Sequence, residues 1–265
     1  MVEHEIVHVA IAPPTAPDAG LVEKVAAIIN REKYDTRLLM AGQLPKMVAH
    51  CQDMQAAESM ARELRELGLA AVACRDSELH KPSQTFSVHT MEFGEGRVVF
   101  RDEGGQERAM ESGDVFLILK GKKHTFVEED TTDTKMKLNL PATMLTGGIP
   151  VWRKVREETR DTSVRSQFFL RLYDRDSPET SIEVLQDHMH YSFLGPEMSP
   201  SSLTNFNTVA AKMQEAFPRA IFDDRLTKSP EVNAPSATGQ DDPEARLRLI
   251  YLLHLEQSNP GHQSA

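Results

Sequence analysis

His188 and His190, in the run Asp187-His188-Met189-His190, are spaced to share a metal ion. Alternate residues of a strand project to one face, and two imidazoles placed so can hold one ion if further ligands arrive from elsewhere. Two solvated imidazoles are the plainer reading, and Asp187 is too near in sequence to count as an independent ligand. The densest basic cluster is Lys120-Gly121-Lys122-Lys123-His124, with Arg153, Lys154 and Arg156 as a second. Amines clustered at the end of a strand can bind phosphate or an anionic lipid, although lysines beside a glycine are also what a solvated turn requires.

The remaining chemistry is sparse. His50-Cys51 and Cys74 fall near strand ends, where two thiols could approach one another, but no second ligand pair at zinc spacing accompanies them and each is expected to act as a small apolar side chain. Asp174-Arg175-Asp176 starts like a calcium loop, then fails at Pro178 and Glu179, where a ligand and the glycine belong. The sequence holds no phosphate-binding loop, no dinucleotide fingerprint, no nucleophile elbow and no zinc-protease helix. No catalytic residue, cofactor or metal is therefore assigned. Trp152, the only tryptophan, is expected in a core, with anchoring a partner as the alternative.

Forty acidic against thirty basic residues give a formal charge of -10, a field that repels nucleic-acid backbones. Two cysteines without CxxC spacing suit a reducing compartment, and no basic leader precedes the first apolar run, so a soluble cytoplasmic protein is expected. A chain of 265 residues is long enough for two cores.

The elements that must position these residues divide at about residue 76. Glu5 to Ala12 is β-branched and apolar up to Pro13-Pro14, a strand; Asp18 then caps a helix bearing Leu21, Val22, Val25, Ile28 and Ile29. A short helix over Thr36 to Ala41, a strand over Pro45 to His50, a helix capped by Asp53 and closed by Gly68, and a strand from Leu69 to Cys74 follow. The spacing of Val25-Ile28-Ile29, Leu38-Leu39, Pro45, Ala57-Glu58 and Leu64-Leu67-Gly68-Leu69 resembles the C-terminal domain of the ribosomal stalk protein and the related protease-adaptor fold. The stalk family recruits factors on a lysine-rich helical surface; the matching stretch here, Tyr34-Asp35-Thr36-Arg37-Leu38, is not lysine-rich.

Residues 77–84 read as a linker, after which the pattern changes to short alternating runs with glycine turns: Phe86 to Phe93, Arg97 to Arg101, Gln106 to Met110 and Asp114 to Leu119. Glu128 to Gln167 is irregular and is expected to be part loop, part strand. Strands over Phe168 to Tyr173 and Ser181 to Leu185 precede a helix over 199–217, with Ser199 as cap, Pro200 in the first turn and an apolar stripe of Leu203, Phe206, Ala210, Met213 and Phe217. The order over residues 85–228, together with Asp114 to Gly121 and Tyr191-Ser192-Phe193-Leu194-Gly195, resembles a bacterial pleckstrin-homology-like domain. The expected fold is thus α+β: a βααβαβ domain over 1–76, then an antiparallel sheet or barrel closed by a helix.

A proline-, alanine- and serine-rich stretch, 229–242, is expected to be disordered, and a last helix spans 243–257. Leu247, Ile250, Tyr251, Leu253 and His254 make that helix apolar over too wide an arc to stay solvated, so it must dock on its own chain or enter a partner's groove. The leading expectation is an interaction or adaptor protein with a protein partner. The alternatives are a module for anionic lipid or a phosphorylated ligand at Lys120, Lys122 and Lys123, and a metal-dependent hydrolase built on Asp187, His188 and His190.

Overall fold

A computed structural model of the chain describes residues 5–138, 152–177, 179–228 and 242–258, the side chains of 124–138 and 152–165 excepted. The described residues fall into two units, one drawn from Met1–Lys122 and Phe168–Ala265, the other Lys123–Gln167. The architecture is mixed α+β, and no helix among the described residues is long and apolar enough to cross a membrane.

In β1 (Val7–Ala12) the period of two sends Val7, Val9 and Ile11 to one face of a three-stranded sheet and His8 and Ala10 to the other. β2 (Lys46–Cys51) and β3 (Ala70–Arg75) flank β1 antiparallel, giving the order β2-β1-β3. α1 (Ala19–Ile28), α2 (Lys33–Leu39) and α3 (Met54–Glu66) intervene in the predicted order βααβαβ. Val22, Val25, Ala57, Ala61 and Leu64 bury themselves with Val7, Val9 and Ile11. Both predicted caps are present: Asp18 accepts from the Leu21 amide and Asp53 from the Ala56 amide, each meeting a helix-end donor that would otherwise lack a partner. Gly68 ends α3 at φ +81°, a conformation that disfavours a side chain. The segment expected as a linker carries a further short helix, α4 (Asp76–Leu79), with Leu79 buried.

The second sheet has five strands in the order β11-β8-β9-β10-β4. They are β4 (Gln84–Val88), β8 (Val115–Leu138), β9 (Trp152–Asp174), β10 (Thr180–Leu185) and β11 (Ile221–Leu226). β4 runs parallel to β10 and β11 parallel to β8, while β9 and β10 are antiparallel. A separate antiparallel meander holds β5 (Thr90–Gly94), β6 (Arg97–Arg101) and β7 (Glu107–Glu111). The expectation of one antiparallel sheet or barrel is therefore corrected: the larger sheet is mixed and neither sheet closes. The cause lies at His89, inside the run Phe86–Phe93 that reads as a single strand. The run divides there: β4 ends at Val88, paired with β10, and β5 begins at Thr90, paired with β6, while the His89 amide donates to the Arg101 carbonyl and its carbonyl accepts from the His190 amide.

β8 and β9 have 24 and 23 residues, far beyond the roughly 3–10 of ordinary strands. Most of the irregular region expected between Glu128 and Gln167 is thus strand; residues 139–151 lie outside the described residues. β8 also runs straight through Lys120-Gly121-Lys122, which reads as a turn in the sequence. Gly121 is there for want of space, since a Cβ on it would stand 2.5 Å from the Phe169 ring.

α5 (Ser202–Ala216) covers one face of the larger sheet, with Phe206, Val209, Ala210 and Met213 against Val115, Ile118, Leu170, Leu172, Ile182 and Val184. Its cap is Ser201, whose hydroxyl accepts from the Thr204 amide, and not Ser199. Ser199 is instead engaged by the Asn205 side chain, which accepts from the Ser199 amide at 2.6 Å and donates to its carbonyl at 2.8 Å. Leu203, first in the predicted stripe, stays exposed.

α6 (Pro243–Ser258) lies between the two sheets, which is why its apolar residues encircle it. Leu247, Ile250 and Tyr251 pack on Phe116, Leu117, Leu119, Phe169, Tyr173 and Leu185 of the larger sheet. Ala245, Leu249 and Leu253 pack on Ala10, Cys74 and Leu79 of the smaller one and α4. The stretch expected to be disordered before this helix, 229–242, lies outside the described residues except for Asp242.

Candidate functional site

Of the basic residues singled out in the sequence, Lys120, Lys122 and Lys123 have described side chains. Lys120 is half-buried; its Nζ donates to Asn207 Oδ1 at 2.8 Å and stands 5.8 Å from the Phe206 ring centre. Burial pushes its pKa below the ordinary lysine value, with Asp224 acting in the opposite sense. Lys122 and Lys123 are exposed on the same continuing strand, where neighbours alternate between faces instead of converging around a turn. The side chains of His124, Arg153 and Lys154, like that of Trp152, lie outside the described residues.

His188 and His190 sit in a turn after β10 and not on a strand, so the alternation that would place both imidazoles on one face is missing. Both are exposed, as is Asp187. The His188 carbonyl accepts from His89 Nδ1 at 3.0 Å, and the His190 ring stacks on the His89 ring and contacts the Ser192 hydroxyl. A cleft of about 390 Å³ beside them is lined by His89, Asp102, Glu103, Asp187 and His188. Among the described residues no group of three or more His, Cys, Asp or Glu side chains converges so as to hold a metal ion. The two thiols occupy opposite faces of the smaller sheet, since Cys51 is level with Val7 on β1 and Cys74 with His8. Burial, reinforced by Glu78 and Asp76, pushes the Cys74 thiol up to about 12, far from the thiolate a nucleophile needs.

The residues of α6 offered in the sequence as a partner surface are taken up by the chain itself. Leu247, Ile250, Tyr251 and Leu253 are buried between the sheets. His254 Nε2 donates to Asp223 Oδ2 at 2.8 Å, and Arg225 donates to the same carboxylate from Nε and Nη2. Burial raises the pKa of Asp223, but the bonds from His254 and Arg225 outweigh it and hold the carboxyl well below the usual range.

Further polar ties fix the rest of the helix. The Tyr251 hydroxyl donates to the Arg175 carbonyl at 2.5 Å, Arg248 donates to the Glu78 carbonyl at 2.6 Å, and Glu256 pairs with Arg65. At its first turn Glu244 accepts from both terminal nitrogens of Arg171, at 2.6 and 2.9 Å, and Arg171 also reaches Glu183 at 2.5 Å. The Arg171 side chain is 2% exposed and that of Glu183 9%. Burial works against the guanidinium charge, but Glu244, Tyr173 and Glu183 outweigh it and raise its pKa above the ordinary value.

Two further features have no counterpart in the sequence reading. On the face of β1 opposite Val7, His8 lies level with His50 of β2, and their Nδ1 atoms are 2.8 Å apart with the rings edge to face. His8 Nε2 stands 2.8 Å from Asp76 Oδ1; His80 Nδ1 donates to the Asp76 carbonyl and lies 3.4 Å from its Oδ1. Only the parity of His8 within β1 and the strand order, taken together, could have found the pair. The other feature is on α2, where Tyr34 is 71% and Leu38 56% exposed, one helical turn apart. Thr36 between them is buried and anchored to the Glu32 carbonyl, which turns that pair outward.

No family model matches this chain, and neither the curated proteins nor the solved structures contain a detectable match.

Proposed function

We propose that this chain is a non-enzymatic adaptor that presents the outer face of α2 to a partner protein. The observation that carries the reading is the exposure of Tyr34 and Leu38 one turn apart, on a helix whose buried side is held by Thr36 and, just past its end, Met40. Tyrosine and arginine dominate the centres of protein interfaces, and an exposed aromatic beside an exposed leucine is the kind of surface such contacts cover. Arg37 adjoins the pair and Arg31 precedes the helix; neither side chain has an ion-pair partner among the described residues. The occupant that fits is a helical segment with an apolar stripe and acidic flanks. Residues 5–75 resemble the stalk and protease-adaptor fold, but the stretch matching the stalk family's lysine-rich surface, Tyr34 to Leu38, is not lysine-rich, so that family's factor binding is not carried over. The pleckstrin-homology-like part is, on this reading, a scaffold, and α6 the wedge that joins it to the first sheet.

The test is photo-crosslinking from position 34 in native lysate, with position 203 as control, followed by capture with wild type and with Tyr34→Ala/Leu38→Ser. A partner crosslinked at 34 alone, carrying an acidic amphipathic helix, and held about tenfold or more less tightly by the double variant is expected. The variant should keep its stability to within about 0.5 kcal/mol, because both side chains are exposed. A partner retained equally by both proteins, or none crosslinked at 34, overturns the proposal.

A further inference from the structure

The contact between His8 and His50 imposes a rule on protons. An ionised Asp76 can only accept, so His8 Nε2, at 2.8 Å from it, carries a proton. Neutral His8 is then bare at Nδ1 and accepts from His50 Nδ1–H across 2.8 Å, which leaves the outer nitrogen, Nε2, of His50 as the place for an added proton. One proton can be added there with every bond intact. A second cannot: both Nδ1 atoms would then be donors facing each other at 2.8 Å, and both rings would be cations.

The position of the pair makes this consequential. Among the described residues β2 is an edge strand, paired with β1 alone, and His8 faces His50 across that pairing. The His8 side chain is 8% exposed, so the second charge would be confined rather than hydrated. We infer that His8 and His50, backed by Asp76, form an acid-sensitive latch that holds edge strand β2 on β1 while they share a proton and releases it when both are protonated. The inference is independent of the partner surface on α2.

The surrounding charges agree with the direction. His50 is exposed at its outer edge, yet partial burial of the ring, then His8, then Arg31 hold its pKa below the ordinary imidazole value. Asp76 faces His8 from α4, beside Glu78 and under His80, whose Nε2 is 3.9 Å from Asp242 at the head of α6. On the flanking strand Arg75 pairs with Glu5, and Cys74, level with His8, stays a neutral thiol. Where α6 packs on this face it presents Ala245, Leu249 and Leu253, and its Arg248 donates to the Glu78 carbonyl; none of these supplies a counter-charge to an imidazolium. A group with a lowered folded pKa contributes stability that is complete above its unfolded pKa, about 6.5 for histidine. That stability is lost as pH falls through the folded value.

Hydrogen exchange of the Lys46–Cys51 amides in the full chain, corrected for intrinsic rates, tests the latch between about pH 7.5 and pH 5. Protection in β2 is expected to fall with pH, by up to about tenfold per unit, while that of Thr180–Leu185 in β10 holds. His50→Gln should remove the fall and His80→Gln leave it. A flat wild-type profile, or a fall that persists in His50→Gln, overturns the latch. Nitrogen-15 spectra of the wild-type imidazoles decide it without any variant: His8 should carry its proton on Nε2 and be bare at Nδ1, and the opposite tautomer is incompatible with the proposal.

Discussion

Arg171→Met removes the cation at the base of α6 while nearly preserving its volume. Arg171 serves two carboxylates of unequal exposure, so the two losses differ. Glu244 is 46% exposed and can recover water, which makes its contribution small. Glu183 is 9% exposed and level with Arg171 across β9 and β10, so without the guanidinium it is a charge confined in the sheet. Orphaning one partner of such a pair costs about 3–5 kcal/mol, and the burial of methionine returns part of it; a net loss of about 3 kcal/mol at neutral pH is expected. Against a typical stability of about 5–15 kcal/mol this is readily measured by urea unfolding followed by circular dichroism.

The pH dependence supplies the internal control. In the variant Glu183 is confined in the sheet without its counter-charge. Its protonated form is favoured in the native state, so the variant's deficit should shrink as pH falls from 7 towards about 4. Replacing both members, Arg171→Met/Glu183→Leu, should recover most of the loss, because apolar pairs often equal buried ion pairs. A single variant that loses less than about 1 kcal/mol, or a double variant no better than the single, would refute the assignment of Glu183 as the dependent charge.

Two further outcomes follow from the packing and the charges. Gly121→Ala places a methyl group 2.5 Å from the Phe169 ring and 3.0 Å from Leu226 Cβ, and should destabilise by about 1–3 kcal/mol in thermal unfolding, with much of the loss recovered when Phe169 is shortened to leucine. Asp223 has a lowered folded pKa, so its stabilisation is complete above about pH 4 and disappears as pH falls through the folded value; Asp223→Asn should be less stable at neutral pH and flatten the stability profile in the acid range below about pH 4.

The first sheet and its helices were legible because their signals are local. Asp18 and Asp53 announce helix starts, Gly68 an end, and the alternation in Val7–Ile11 sets which side chains face the helices. What escaped was whatever depends on which strand lies beside which. Nothing near Glu183 in sequence shows that β10 pairs with β9, yet a lone charge in the apolar runs Phe168–Tyr173 and Ser181–Leu185 is itself a signal that two such runs hold each other's counter-charge. The lysine run misled because glycine has two uses, reversal and close approach, and only the Phe169 ring distinguishes them. β11 went unseen because Ile221–Leu226 is half charged, and Asp223 and Arg225 satisfy each other there. The width of the apolar arc on α6 demands burial, but one sequence does not say that two sheets share it.

That sharing fixes when the protein can become itself. α6 is synthesised after every strand it covers, so as the chain emerges from the ribosome Leu119, Phe169 and Tyr173 on one sheet and Ala10 and Cys74 on the other must wait uncovered for residues 245–253. A nascent chain halted between Leu226 and Pro243 would carry two unfinished apolar faces at once, and would be a client for chaperones however well each sheet had formed.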